Sequence, residues 1–136
     1  MKKIFIYLTA LAVIMTTGFV SPAAADETAK FTIGRLVVCS NVVAMEPELG
    51  KEEKFPLSLG KVYCFLEARQ ISADTKISFV WRHNGITQAT VPVMLKQGWR
   101  WRTYSYKKLE GMSGNWTVEI HDASGTLVDS VTFAVE

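Results

Sequence analysis

The chain of 136 residues carries 15 Lys and Arg against 13 Asp and Glu, and 49% of its residues are hydrophobic. Two of the basic residues, Lys2 and Lys3, belong to an N-terminal leader, so the remainder holds 13 charges of each sign. That balance argues against nucleic acid or an anionic membrane as the main partner, and the length leaves room for one domain rather than two.

The leader reads as a signal peptide spanning residues 1–25. Lys2 and Lys3 form its positive start, and an apolar run follows from Ile4 to Met15. Gly18 and Pro22 then break any helix, and Ala23-Ala24-Ala25 supplies the small residues of a cleavage site. The apolar run is short of the ~20 residues that a membrane span needs. Cleavage is expected before Asp26, leaving a mature domain at 26–136 that is periplasmic or secreted in a bacterium, with no stable membrane insertion.

Two cysteines remain, Cys39 and Cys64. In an exported chain an even pair reads as a structural disulfide. Closing that loop should contribute ~3 kcal/mol on the chain-entropy view. The two thiols have no neighbouring histidines that would make a zinc site, and no metal or cofactor motif is present.

From Phe31 onward, β-branched and aromatic runs recur about every ten residues, and no helical spacing of apolar residues appears. Phe31 to Val43 is apolar on both faces and is expected as a strand. Glu46-Pro47-Glu48-Leu49-Gly50 punctuates the chain, and Lys51-Glu52-Glu53-Lys54 reads as a charged loop. Lys61 to Arg69 places Val62, Cys64 and Leu66 on one face and Tyr63 and Phe65 on the other. Lys76 to Arg82 alternates Ile77, Phe79 and Trp81 on an inward face. Asn84-Gly85 predicts a tight hairpin, because both residues tolerate positive φ. Ile86 to Leu95 returns from it, and Pro92, which has no N–H to donate, marks an edge strand. Trp99 to Lys107, Asn115 to His121 and Leu127 to Val135 complete the set. Seven strands in this length predict a single immunoglobulin-like antiparallel β-sandwich. Trp81, Trp101 and Trp116 each lie on the apolar phase of their strand and are expected as core anchors.

The segment from Trp99 to Lys108 has an unusual composition. Period-two alternation puts Trp99, Trp101, Thr103, Ser105 and Lys107 on one side and Arg100, Arg102, Tyr104, Tyr106 and Lys108 on the other. Aromatic rings stack on flat ligand faces and guanidinium groups fork onto carboxylate or phosphate. Arg100, Arg102, Tyr104 and Tyr106 are therefore the candidate binding residues, although Tyr and Arg also make ordinary cross-strand pairs.

Catalysis has little support in the sequence. The mature histidines, His83 and His121, fall at a turn and at a strand end, and no nucleophile elbow, metalloprotease motif or phosphate loop is present. Asn115-Trp116-Thr117 fits a glycosylation acceptor, a three-residue coincidence in a chain with a bacterial-looking leader.

Several of these segments carry a resemblance. They are Cys39 with Glu46-Pro47, Phe55, Gly60 to Phe65, Ile77 with Trp81 and Gly85, Trp101-Arg102-Thr103 with Ser105 and Lys107, Gly114 with Trp116 and Val118, and Gly125 with Phe133 to Val135. On them the chain resembles the bacterial domain of unknown function 2914 family of exported or membrane-linked β domains, from about Leu36 to Val135. The resemblance implies fold and compartment only. It also leads one to expect a histidine two residues before Trp81, where this chain has Phe79. Together these readings predict a non-catalytic exported module for an unknown protein partner or a cell-envelope glycan, with a small hydrolase or lyase as the alternative. The oligomeric state is not legible.

Overall fold

The structure, a computed structural model, describes residues 30–48 and 54–136. The expected signal peptide and most of the charged loop at 51–54 lie outside the described residues. The long strands are β1 (Thr32–Cys39), β5 (Lys61–Ile71), β6 (Thr75–His83), β7 (Ile86–Leu95), β8 (Gly98–Lys108), β9 (Gly114–His121) and β10 (Leu127–Val135). Three two-residue strands lie between β1 and β5: β2 (Val42–Val43), β3 (Glu46–Pro47) and β4 (Lys54–Phe55). The fold is an all-β sandwich. One layer has the order β1-β5-β8, and the other has the order β4-β10-β9-β6-β7. All pairings are antiparallel except the short β4–β10 pair.

The alternation seen in the sequence becomes the core. Val62, Cys64, Leu66 and Ala68 of β5 face Ile77, Phe79 and Trp81 of β6 and Trp116, Val118 and Ile120 of β9, all buried. Fully burying a side chain of this class contributes about 1.5–3 kcal/mol. Phe133 is the aromatic hub of one end. Its ring stacks on Trp116 at 6.1 Å and meets Trp81 and Phe55 edge-on at 6.2 Å and 5.7 Å.

Local chemistry explains the turns. Asn84 and Gly85 both adopt positive φ (48° and 80°), which matches a β6–β7 hairpin to the strand twist. Strand β7 closes one side of the larger sheet, the place where Pro92 leaves no ladder bond unmade. Phe79 is wholly buried, paired with Val91 and Ile120, so the position where the resemblance expects histidine is used here to fill the core.

Two expectations are corrected. The Cys39–Cys64 bridge is not formed, and both cysteines are free and buried. The register shows why. Cys64 stands opposite Val38 and Cys39 stands opposite Tyr63, so the two residues are one position out of phase and point to opposite faces of the sheet. Trp101 is not a core anchor, being 38% exposed, whereas Trp81 and Trp116 are at 0% and 1%. Trp101 has the inward phase, but it lies on β8, an outermost strand of its sheet, where the ring is only partly covered.

Candidate binding face on the three-stranded sheet

The outer surface of β1-β5-β8 is built from the phase of each strand that does not enter the core. Direct pairing of β5 with β8 sets five rows across it: Lys61 with Lys108, Tyr63 with Tyr106, Phe65 with Tyr104, Glu67 with Arg102, and Arg69 with Arg100. Arg100, Arg102, Tyr104 and Tyr106 all lie on this surface. Arg100, Tyr104 and Tyr106 are exposed and Arg102 is half-buried. Their neighbours on β5 did not stand out in the sequence, since only the register brings Lys61, Tyr63, Glu67 and Arg69 beside them. The available signal was the Lys61-Tyr63-Phe65 phase of β5, which has a different chemistry from the Val62-Cys64-Leu66 phase.

The arginine end is organised by one buried carboxylate. Glu67 is 2% exposed and accepts from Arg69 Nη2 at 2.7 Å, Arg69 Nε at 3.1 Å and Arg102 Nε at 3.1 Å, with Arg100 at 3.9 Å. Burial alone pushes its carboxyl upward, but the hydrogen bonds and charges of the arginines hold it below the usual carboxylate range. Gly34 makes room for this arrangement. A Cβ there would stand 2.6 Å from Arg69 Nε, so the guanidinium lies across β1 only because residue 34 has no side chain. Glu46, on the short β3 strand, reaches Arg102 at 2.8 Å and Arg35 at 3.0 Å, and Arg35 covers the buried Phe65 ring at 5.0 Å. Four arginines therefore share two carboxylates.

The other end is aromatic and cationic. Tyr63 packs against Tyr104 and Tyr106 with ring centroids at 5.9 Å and 5.6 Å. The Lys61 ammonium sits 5.5 Å above the Tyr63 ring and 5.1 Å above the Tyr106 ring. Neither Lys61 nor Lys108 has a carboxylate partner among the described residues.

The histidines occupy other places. His121 Nε2 meets Glu119 Oε1 at 2.9 Å and its Nδ1 meets the Gly125 carbonyl at 3.0 Å, while Arg82 donates to the same Glu119 oxygen at 3.0 Å. The Glu119 hydrogen bond, then that to Gly125, raise the His121 pKa. The His121 hydrogen bond, then Arg82, lower that of Glu119. This group lies on the outward phase of β6 and β9, not in a recess. His83 bonds the Ser113 carbonyl at 2.7 Å and packs on Trp116. Among the described residues, no three His, Cys, Asp or Glu side chains gather as a metal site, and no helix is long and apolar enough to cross a membrane.

Residues 74–135 match the family described as "Protein of unknown function (DUF2914)". The match begins at the β5–β6 turn, so it includes β8 and leaves out β1 and β5. No curated protein gives a significant match. Among solved structures, a β-glucosidase from Erythrobacter marinus aligns with a TM-score of 0.52 at 9% identity, over 78% of this chain and 15% of that one. A β-glucosidase from Listeria innocua, in complex with laminaribiose, gives a TM-score of 0.48 at 12% identity, over 78% of this chain and 16% of that one. The chain thus spans about a sixth of the length of these enzymes, and at 9% identity the likeness to the Erythrobacter marinus enzyme is one of fold alone.

Proposed function

We propose that this chain, whose residues 74–135 match the DUF2914 family of unknown function, is an exported, non-catalytic module that binds an anionic cell-envelope polymer. The contact surface is the outer face of β1-β5-β8. The observation that carries the reading is charge segregation. Outside the leader, the chain has 13 charges of each sign. Yet this one face gathers Arg35, Lys61, Arg69, Arg100, Arg102 and Lys108 against Glu46 and Glu67. Solubility does not call for such clustering, and an exposed stripe of one sign draws a ligand of the other.

The hydrolase or lyase alternative needs a histidine and a carboxylate in a pocket where water is excluded. The His121–Glu119 pair is instead tied to its own turn and to Arg82 on an open sheet face. The leader supports export, since its charge, apolar run and small-residue site are those of a cleaved signal peptide.

The test is sedimentation of the purified mature protein with envelope polymer fractions and peptidoglycan fragments. The wild type should co-sediment at low salt and be released as salt screens the face. Arg100→Ala and Tyr106→Ala should weaken retention while leaving the melting temperature nearly unchanged. Retention unaffected in both variants would remove the face from consideration.

A further inference from the structure

The two ends of the binding face repeat one arrangement, a direct cross-strand pair of like charges. Lys61 is paired directly with Lys108, and Arg69 directly with Arg100. Like charges directly opposite on neighbouring strands are destabilising. At the arginine end the single Glu67 carboxylate is shared, and at the lysine end neither lysine is ion-paired among the described residues, Glu110 beside them being paired with Lys107. The middle of the face is different. Arg102 is satisfied by Glu46 and Glu67, and Tyr104 and Tyr106 present exposed rings. The surplus positive charge therefore sits at two places, with an aromatic shelf between them. From Lys61 to Arg69 the register is continuous, and at roughly 3.4 Å per residue the two ends are about 27 Å apart.

We infer that these two like-charge pairs are separate anion subsites spanned by one linear acidic polysaccharide running along β8, its sugar rings resting on Tyr104 and Tyr106. This inference rests on the binding reading above and names the ligand class for that face. The ligand is linear because the cations lie in line along the strand direction rather than around a pocket. It is a glycan because the shelf is aromatic. The weakly positive C–H face of a pyranose suits the negative face of a tyrosine ring, and its carboxylates suit the ammonium and guanidinium groups at either end. A short fragment can occupy one end only. A long one meets the second end as an intramolecular event, which raises affinity by about 10²–10⁴ without a new kind of contact.

The experiment titrates oligogalacturonates of two to twelve units against the mature protein by calorimetry at low salt. Poly-glutamate of matched charge and neutral malto-oligosaccharides serve as comparators. Wild-type affinity should jump at least a hundredfold between the shortest and longest oligomers, with the rise concentrated at the length that reaches both ends. Lys61→Gln/Lys108→Gln and Arg100→Gln should each flatten that rise to less than tenfold, with the dimer then binding at about one site instead of two. The lysine double variant should melt close to the wild-type temperature, because relief of the like-charge pair offsets the lost contacts of Lys61 with the Tyr63 and Tyr106 rings, so a loss of the rise is not a loss of fold. A length dependence that survives in both variants would overturn the two-subsite arrangement and leave the binding face in place. Poly-glutamate binding as tightly as the longest oligomer would overturn the glycan assignment in favour of an acidic polypeptide. Absence of binding to every oligogalacturonate, with envelope polymers still retained, would overturn the ligand class alone. Absence of both would overturn the binding reading itself.

Discussion

The indole N–H of Trp81 donates to Ser105 Oγ at 3.2 Å, and this bond joins the two layers of the sandwich through the middle of the core. Trp81 is on β6 of the larger sheet and Ser105 on β8 of the smaller, directly behind the binding face. Ser105 is a buried polar side chain, 5% exposed, and Trp81 is its hydrogen-bond partner. Removing the hydroxyl strands the buried indole donor. Ser105→Ala should therefore cost about 1–3 kcal/mol in urea unfolding. Trp81→Phe combined with Ser105→Ala should cost less than the sum of the two single changes, because both partners of the bond are then gone. Additive losses would show that the bond contributes nothing of its own.

The tryptophans make a second test of how the core is assigned. Trp116→Ala should cost about 3–5 kcal/mol, since the ring is buried against Phe133 and its N–H is held by the Met112 carbonyl. Trp101→Ala should cost clearly less, about 1–2 kcal/mol, because the ring is 38% exposed and gives up less buried area on truncation. A loss at Trp101 equal to that at Trp116 would mean that Trp101 is packed in solution.

What the sequence made legible follows from what alternation encodes. Period-two patterning identifies which side chains share a face of a strand, and for β5, β6, β8 and β9 that reading and the observed strands coincide. It does not say how far along the sheet an inward-facing residue stops being covered. Trp101 has the same phase as Ser105, four residues away, yet only Ser105 is sealed by the opposite sheet. Nor does alternation give the register between strands. The cysteine spacing suggests a bridge, but a one-residue offset between β1 and β5 separates Cys39 from Cys64. The same missing information hid half of the binding face, because Lys61 and Tyr63 meet Lys108 and Tyr106 only through the pairing of strands far apart in the chain.

The cysteines should behave as inert thiols. Burial is the main cause of their raised pKa values, about 11 for Cys39 and higher still for Cys64. The thiolate is the reactive form. Native protein treated with iodoacetamide at pH 8 should thus remain unlabelled, and both cysteines should label once the protein is unfolded without reductant. Labelling that requires prior reduction would show a bridge.

Stability should depend on pH through Glu119 and His121. The folded pKa of His121 is raised, chiefly by its Glu119 hydrogen bond. Its contribution is fully present below the unfolded value of about 6.5 and is lost as pH rises through the folded value. Glu119 is shifted down, chiefly by His121, so its contribution is present above the ordinary carboxylate value and lost as pH falls through the lowered one. Melting temperature should therefore be highest in mildly acidic solution and decline both toward strong acid and above neutrality. His121→Gln should remove the decline on the alkaline side. An unchanged profile in that variant would assign the decline to other groups.

Glu67 is where stability and binding should separate. Its carboxylate is buried, and Arg69 and Arg102 converge on it within 3.1 Å. Glu67→Gln keeps the shape but removes the charge that holds them. The cost should be less than the 3–5 kcal/mol typical of breaking a fully buried pair, because Arg69 and Arg100 are about half-exposed and can turn into water. A loss of about 1–3 kcal/mol is expected by urea unfolding. Binding should move the other way. With the neutralising carboxylate gone, the face gains one net positive charge, and affinity for an anionic polymer at low salt should rise with a steeper salt dependence. A variant that is less stable yet binds more tightly would show that Glu67 serves the fold while the arginines around it serve the ligand. If it binds more weakly at unchanged stability, the carboxylate is instead what aims those arginines, and the proposed division between the neutralised middle of the face and its charged ends is wrong.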